Sequence, residues 1–278
     1  METGVYRWGQ LLERWPRAEI LLAIDEKSLV KLRHGWYATA NANQAVVAAV
    51  QAGGLLSCAS ALRLHGVWVP PTDHVHIRGN SNTARNHPAW CRQFGRQPAE
   101  HDAVDDLPTA LAHATRCLSA EDLVVVCDSL LNKRLLTETD INDVLRDAPR
   151  TVRATLGRVD GRAESGTESM VRLRLAAPHL QIRPQVTILG VGRVDLLVGR
   201  SLIIEVDNEE YHSSSSAFEN DRMRDLRAQS LGYRMIRLSY TQVVYQWPEV
   251  HALIEQLVHR AEHRRPLPTT AAQPDRTV

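Results

Sequence analysis

The stretch GRVDLLVGRSLIIEVDNEEYH, residues 192–212, decides how the second half of this chain folds. Two short runs rich in Val, Ile and Leu flank Gly199–Arg200, and this pattern predicts a β-hairpin. Three carboxylates interrupt the apolar strands, namely Asp195 on the first and Glu205 and Asp207 on the second. Carboxylates in so apolar a setting lose hydration and repel one another unless a cation joins them. A hard divalent ion such as Mg²⁺, held by carboxylates, a backbone carbonyl and water, is the simplest solution.

The register of this hairpin decides whether such a site can form. Side chains alternate along a strand, so Glu205 and Asp207 share one face of the sheet. A two-residue turn would place Asp195 opposite Ile204, on the other face. A three-residue loop or a bulge would instead place Asp195 directly opposite Glu205. We expect the second arrangement.

The order Asp195, Ile204-Glu205-Val206-Asp207 resembles the PD-(D/E)XK nuclease superfamily, in particular its branch related to very-short-patch-repair (Vsr) endonucleases. Asp207 stands where the general pattern has Lys, and Asn208 replaces a Gly that is common in this branch. Further pieces match in order, and they are Ser165-Gly-Thr-Glu168, Arg183-Pro-Gln185, His212, Asp221-x-x-Arg224 and Leu231-Gly-Tyr-Arg234.

The resemblance implies an α/β restriction-endonuclease-like core, a mixed sheet flanked by helices, that cleaves or nicks DNA with Mg²⁺ or Mn²⁺. It implies metal ligation by Asp195, Glu205 and the carbonyl of Val206, with Arg224 and Arg222 as contacts to DNA. The candidate catalytic residues are Asp195, Glu205, Asp207, Glu168, His212 and Gln185. In these roles His212 relays a proton and Gln185 orients a water molecule or a phosphate.

Several of these residues have structural alternatives. Ser165-x-x-Glu168 is also a capping box, so Glu168 either closes the start of a helix or faces the sheet as a ligand. The acids and arginines of residues 221–225 can equally form a salt-bridged helix face. His212 can be an ordinary loop histidine, since the chain has 12 histidines.

Residues 1–66 are predicted to be mainly helical, with a two-stranded wing that turns at Gly35. Arg33-His-Gly35-Trp-Tyr37 resembles the end of the wing in the winged-helix domain of abortive-infection antitoxin regulators. The resemblance departs between Pro16 and Leu29, where the segment is short for a recognition helix. Because Trp36 lies among basic residues, we expect Lys31, Arg33 and Trp36 to contact DNA, with core packing as the alternative for the indole.

Composition sets the remaining limits. The chain has 278 residues, 44% of them hydrophobic, and a net charge of +1, so any basic surface must be local. No signal peptide or membrane-length apolar run is evident, which predicts a cytoplasmic protein. The predicted divisions are a winged-helix-like domain (1–66), a linking α/β and helical region (67–157), the nuclease-like domain (158–265) and a disordered tail (266–278).

We interpret two further patterns as having no role in metal binding or catalysis. The histidines of Asp73-His-Val-His76 alternate on a predicted strand with no third ligand evident nearby, which favours a solvated strand. The chain has four scattered cysteines without C-x-x-C spacing, which we interpret as the reduced thiols of an intracellular protein: Cys58, Cys91, Cys117 and Cys127.

Two classes of function follow from the sequence. The first is a metal-dependent DNA endonuclease in repair or phage defence. The second is a DNA-binding transcriptional regulator or antitoxin-like protein with a catalytically inactive nuclease fold. DNA is the expected partner in both, and a protein partner of the same system and a homodimer remain open.

Overall fold

The computed structural model describes residues 2–207 and 215–268, with residues 215–220 described by their backbone alone. Two compact units make up the chain, Met1–Val159 and Asp160–Val278. His212, Asn208 and residues 269–278 of the predicted tail lie outside the described residues.

The first unit begins with a three-stranded antiparallel sheet of order β1-β3-β2. Its hairpin turns at Gly35, where φ is +75°, as the wing prediction requires. The sequence did not predict β1, so this segment has one more strand than expected. The elements of this segment are β1 Val5–Arg7, α1 Trp8–Arg14, α2 Arg17–Asp25, β2 Leu29–Arg33, β3 Trp36–Thr39 and α3 Gln44–Gln51.

The rest of the first unit is a small antiparallel pair, β4-β5, followed by helices. A short helix, α5, lies within the stretch that was predicted to be irregular. The elements are β4 Leu55–Leu56, α4 Cys58–Leu64, β5 Ile77–Arg78, α5 Ser81–Asn86, α6 Leu107–Cys117, α7 Ala120–Asn132, α8 Glu138–Val144, α9 Arg150–Ala154 and a 3₁₀ turn Thr155–Arg158.

The predicted boundary after residue 66 is wrong. One apolar cluster joins Cys58 and Leu62 of α4 with Leu111, Val126 and Leu145 on later helices. Strand β4 also pairs with β5, across the predicted division. Because shared burial holds these segments together, the first unit continues to Val159, close to the boundary predicted after residue 157.

The second unit is a mixed four-stranded sheet of order β6-β7-β8-β9, in which the last pair is parallel and the others are antiparallel. Helix α10 packs against β7 and β8, and α11 packs against β9. A mixed sheet with flanking helices confirms the α/β class. The elements are α10 Gly166–Arg174, β6 Ile182–Ile188, β7 Gly192–Val198, β8 Leu202–Asp207, α11 Ser215–Ser230, β9 Arg234–Ser239, α12 Tyr240–Tyr245, α13 Trp247–His259 and a 3₁₀ turn Glu262–Arg264.

Ordered packing in the second unit extends beyond the predicted boundary at residue 265. Leu267 packs against the apolar cluster formed by Ile188, Val194 and Ile203. The predicted tail therefore begins too early. Within the described residues, no helix combines the length and the apolar character that crossing a bilayer requires.

Candidate active site

The hairpin of β7 and β8 adopts the register that the site requires. Leu196 pairs with Ile204 and Val198 pairs with Leu202, so a three-residue loop connects the strands, as expected. The same register places Asp195 opposite Glu205. Gly199 in this loop has a φ of +61°, and a Cβ there would lie 2.3 Å from a backbone oxygen of the 3₁₀ turn. The loop is therefore restricted to glycine at this position.

Gln185 of β6 lies directly opposite Asp195 of the neighbouring strand β7. The neighbouring pairs Pro184–Leu196 and Val186–Val194 set this register, and Gln185 has a φ of +53°. A residue with a side chain seldom adopts this conformation within a strand unless its surroundings impose it. Here the amide nitrogen of Gln185 donates to Oε2 of Glu168 at 2.8 Å and to Oδ1 of Asp195 at 3.4 Å.

The amide oxygen of Gln185 is buried and has no hydrogen-bond partner among the described residues. The two carboxylates on its nitrogen side fix the orientation of the amide, because an oxygen turned toward them would be repelled. A buried polar atom without a partner is uncommon in folded proteins and costs free energy. Gln185 therefore keeps one buried oxygen without a partner among the described residues, on the side of its amide away from these two carboxylates.

Glu168 makes a capping-type contact and also lies beside the sheet. Its backbone N–H donates to Oγ of Ser165, the N-cap residue of α10, at 3.2 Å. Its carboxylate accepts from the N–H of Glu164 at 3.0 Å, one residue before the cap, so the reciprocal capping box with Ser165 does not form. Since the same oxygen accepts from Gln185 of β6, the carboxylate faces the sheet, and its role as a metal ligand stays a prediction.

The hairpin acids form a strongly coupled electrostatic group. The N–H of Val206 donates to Oδ2 of Asp195 at 2.9 Å, which holds this carboxylate against β8. Burial and the charge of Asp195 raise the pKa of Glu205 to about 8. Burial and the charge of Asp195 also raise the pKa of Glu168. In both cases burial is the larger cause and the charge of Asp195 the smaller one, and both disfavour the ionised carboxylate.

The guanidinium of Arg224 contacts one of the hairpin acids. Arg224 of α11 donates to Oε1 of Glu205 at 2.9 Å, to the carbonyl of Val191 at 3.2 Å and to the carbonyl of Arg193. Its charge lowers the pKa of Glu205 but does not reverse the rise. Arg237, which pairs with Glu205 in the register of β8 and β9, also lowers this pKa, so two nearby arginines offset the rise only in part.

The other residues named by the nuclease resemblance make different contacts. Asp207 is exposed at the end of β8, within electrostatic reach of Arg237. Asp221 and Asp225 of α11 pair with Arg237 of β9 at 3.4 and 2.8 Å. Asp221 therefore does not join the hairpin acids, and the ion pairs link helix to strand instead of forming a helix face. Arg222 is exposed on α11.

In the first unit, Trp36 is a core residue. The side chain is 4% exposed, and the guanidinium groups of Arg7 and Arg33 lie 5.4 and 5.3 Å from its ring centroid. Arg33 donates to the carbonyls of Gly53 and Gly54, at 2.8 and 3.1 Å, and pairs with a nearby carboxylate. The predicted DNA contact of Trp36 is wrong, because burial in the core leaves its indole almost no exposed surface. The predicted DNA contact of Arg33, whose side chain is partly exposed, stays a prediction. Lys31 is exposed.

The sequence analysis missed a cluster in the first unit, which we call the Cys₃His cluster. Among the groups of three or more Cys, His or acidic side chains in the described residues, this cluster is the one whose potential ligand atoms all lie within 4.8 Å of one another. Its spacing follows no short motif, so no sequence signal could have found it. The solvated strand predicted around His76 is also wrong, since this side chain is 3% exposed. The members are Cys58, His76, Cys91 and Cys117.

Comparison with protein families, curated proteins and solved structures finds no match for this chain. The interpretation of both clusters therefore depends on their geometry and chemistry.

Proposed function

We propose that the second unit is an Mg²⁺-dependent endodeoxyribonuclease domain centred on Asp195, Glu205 and Glu168. The observation that carries this proposal is the convergence of these three carboxylates, which Arg224 only partly compensates. Such an excess of buried negative charge is unfavourable by itself and is relieved when a cation binds.

The residues present fit a hard divalent ion. Mg²⁺ and Mn²⁺ prefer oxygen ligands, and the group offers the carboxylates of Asp195, Glu205 and Glu168. Val206 adds a further oxygen. Because the N–H and C=O of one strand residue point to the same neighbouring strand, the bond from its N–H to Asp195 directs its carbonyl toward β7 as well.

The roles of the residues follow from their contacts. Asp195 and Glu205 are the proposed ligands, while Gln185 holds Asp195 and Glu168 in place through its amide nitrogen. When bound, the ion would polarise a phosphoryl oxygen and lower the pKa of a water molecule. Since the pKa of Glu205 is raised to about 8, cation binding displaces a proton there, and affinity increases with pH up to that value.

The test is hydrolysis of supercoiled, mismatched and single-stranded DNA by the full chain, with Mg²⁺ or Mn²⁺ and with EDTA. We expect nicking or cleavage that needs the ion and that Asp195→Asn or Glu205→Gln abolishes. Glu255→Gln is the matched control, because this acid lies in the same unit on α13, where its partner is His251. Cleavage that survives EDTA and Asp195→Asn, or no cleavage of any substrate, would contradict the proposal.

A DNA-binding regulator with an inactive nuclease fold is the second candidate. It is favoured by the bond from Arg224 to Glu205, which occupies one of the proposed ligand oxygens, and by Asp207 in the place of the usual Lys. The two candidates differ in how binding depends on the acids. Salt-dependent DNA binding that neither EDTA nor Asp195→Asn changes, without cleavage, would select the regulator.

A further inference from the structure

The Cys₃His cluster lies where four segments of the first unit meet. Its members lie at the start of α4, just before β5, in the segment after α5 and at the end of α6. Nδ1 of His76 lies 3.3 Å from Sγ of Cys91. A tetrahedral Zn²⁺ ion, with bonds of about 2.3 Å to sulfur and 2.0 Å to nitrogen, holds its ligand atoms about 3.5–3.8 Å apart. Ligand atoms that all lie within 4.8 Å of one another therefore suit one central ion.

We propose that the Cys₃His cluster is a structural binding site for one Zn²⁺ ion. Three thiolates and an imidazole are ligands that select zinc over the hard cations expected at the hairpin acids. Four protein ligands complete a tetrahedral shell and leave no open position for a substrate, which is the mark of a structural site. This proposal is independent of the nuclease proposal, because all four residues belong to the first unit.

The backbone already holds two of the ligands in position. The N–H of His76 donates to Oγ of Ser60 and its carbonyl accepts from the N–H of Ser57, both at 2.9 Å. The N–H of Cys91 donates to the carbonyl of Ile77 at 2.8 Å. Ligands fixed by their own hydrogen bonds lose little freedom when a metal binds, so the site is preorganised.

The three thiols and the imidazole already contact one another, with Nδ1 of His76 beside Sγ of Cys91. A disulfide would join only two of these four groups. One Zn²⁺ ion instead satisfies all four groups at once.

Zinc would give the first unit a cross-link in its least regular part. Apart from α5, the segment from residue 79 to residue 106 contains no helix or strand. Cys91 lies within this segment, whereas Cys58 and Cys117 belong to helices of the main apolar core. Binding would therefore attach the segment to α4 and α6.

The experiment measures metal in the full chain, purified without chelators and with a phosphine reductant. We expect one zinc atom per chain by elemental analysis after gel filtration, and a native mass that exceeds the denatured mass by one zinc. The chelator-treated chain, titrated with Co²⁺ alone, should develop the visible bands of tetrahedral cobalt and a thiolate charge-transfer band. Added Zn²⁺ should remove both signals.

Matched variants separate the cluster from thiols in general. Since mutation of residues that only support a metal ligand costs about tenfold to a hundredfold in affinity, Cys91→Ala should lower zinc affinity by more than about a hundredfold. Cys127→Ala should leave it unchanged, because this buried thiol lies in the same apolar core and outside the cluster. If Cys91→Ala fails to fold, the cobalt titration of the unmodified chain decides.

The proposal is overturned if the folded chain carries no stoichiometric zinc and gives no tetrahedral cobalt spectrum. It is also overturned if mass spectrometry finds a disulfide among the three thiols of the purified protein, or if Cys127→Ala loses as much zinc as Cys91→Ala.

Discussion

Glu205→Gln removes the carboxyl that makes the hairpin sensitive to pH. Burial and the charge of Asp195 raise the pKa of Glu205 from 4.5 to about 8, and Arg224 offsets only part of this rise. A carboxyl with a raised pKa keeps its proton in the folded state over a range in which the unfolded chain releases it. Its contribution to stability is therefore complete below about pH 4.5 and is lost as the pH rises to about 8.

The magnitude follows from the same two pKa values. Each pKa unit corresponds to about 1.4 kcal/mol, so the free energy of unfolding of the second unit falls by at most about 5 kcal/mol across this range. A glutamine side chain resembles the protonated acid and cannot ionise. In Glu205→Gln this contribution should be constant with pH, which makes the variant more stable than the parent chain near pH 8 in EDTA.

The assay is hydrogen–deuterium exchange of the β8 amides at about pH 5 and about pH 8, corrected for intrinsic exchange rates. Mg²⁺ at a hundred times its Kd should stabilise the parent chain by about 2.7 kcal/mol at the higher pH. It should leave Glu205→Gln unchanged, whereas Glu255→Gln, the control, should respond as the parent does. An opening free energy that is constant with pH in the parent chain, or equally pH-dependent in Glu205→Gln, would refute the reasoning.

Two predictions concern the first unit. Asp105→Asn leaves Arg78 charged in a pair whose side chains are 3% and 4% exposed, so the free energy of unfolding in urea should fall by about 3 kcal/mol or more; a loss under about 1 kcal/mol would contradict this. Trp36→Ala should lower the same free energy by about 3–5 kcal/mol without changing DNA affinity. Lys31→Ala should change it by less than about 0.5 kcal/mol, and a loss of DNA affinity confined to the tryptophan variant would contradict the core assignment.

The local sequence pattern was sufficient to predict the hairpin of β7 and β8. Alternating apolar residues and a glycine at the turn predicted two strands, and the need to bring Asp195 opposite Glu205 predicted the three-residue loop. The two-stranded wing predicted to turn at Gly35 is likewise a hairpin in the structure. These features depend on neighbours a few residues apart, where periodicity and turn chemistry are informative.

The local sequence pattern did not predict contacts between residues that lie far apart in the chain. Arg33 looked like a surface cation in a basic wing, yet it bonds the carbonyls of Gly53 and Gly54. Gln185 looked like a polar strand residue, yet its positive φ turns its amide between Glu168 and Asp195. Each position depends on how separate elements pack, which the spacing of residue types along the chain does not encode.

The sequence by itself determined the two strands of the hairpin, its loop length and the acids that face one another across it, because side-chain periodicity and turn residues act over short distances. Only the tertiary structure decided which side chains share an environment: Arg224 beside Glu205, Trp36 in the core, and three cysteines around His76. The physical reason is that such neighbours come from segments far apart in the chain, and the burial of apolar surface, which has no direction of its own, sets their positions.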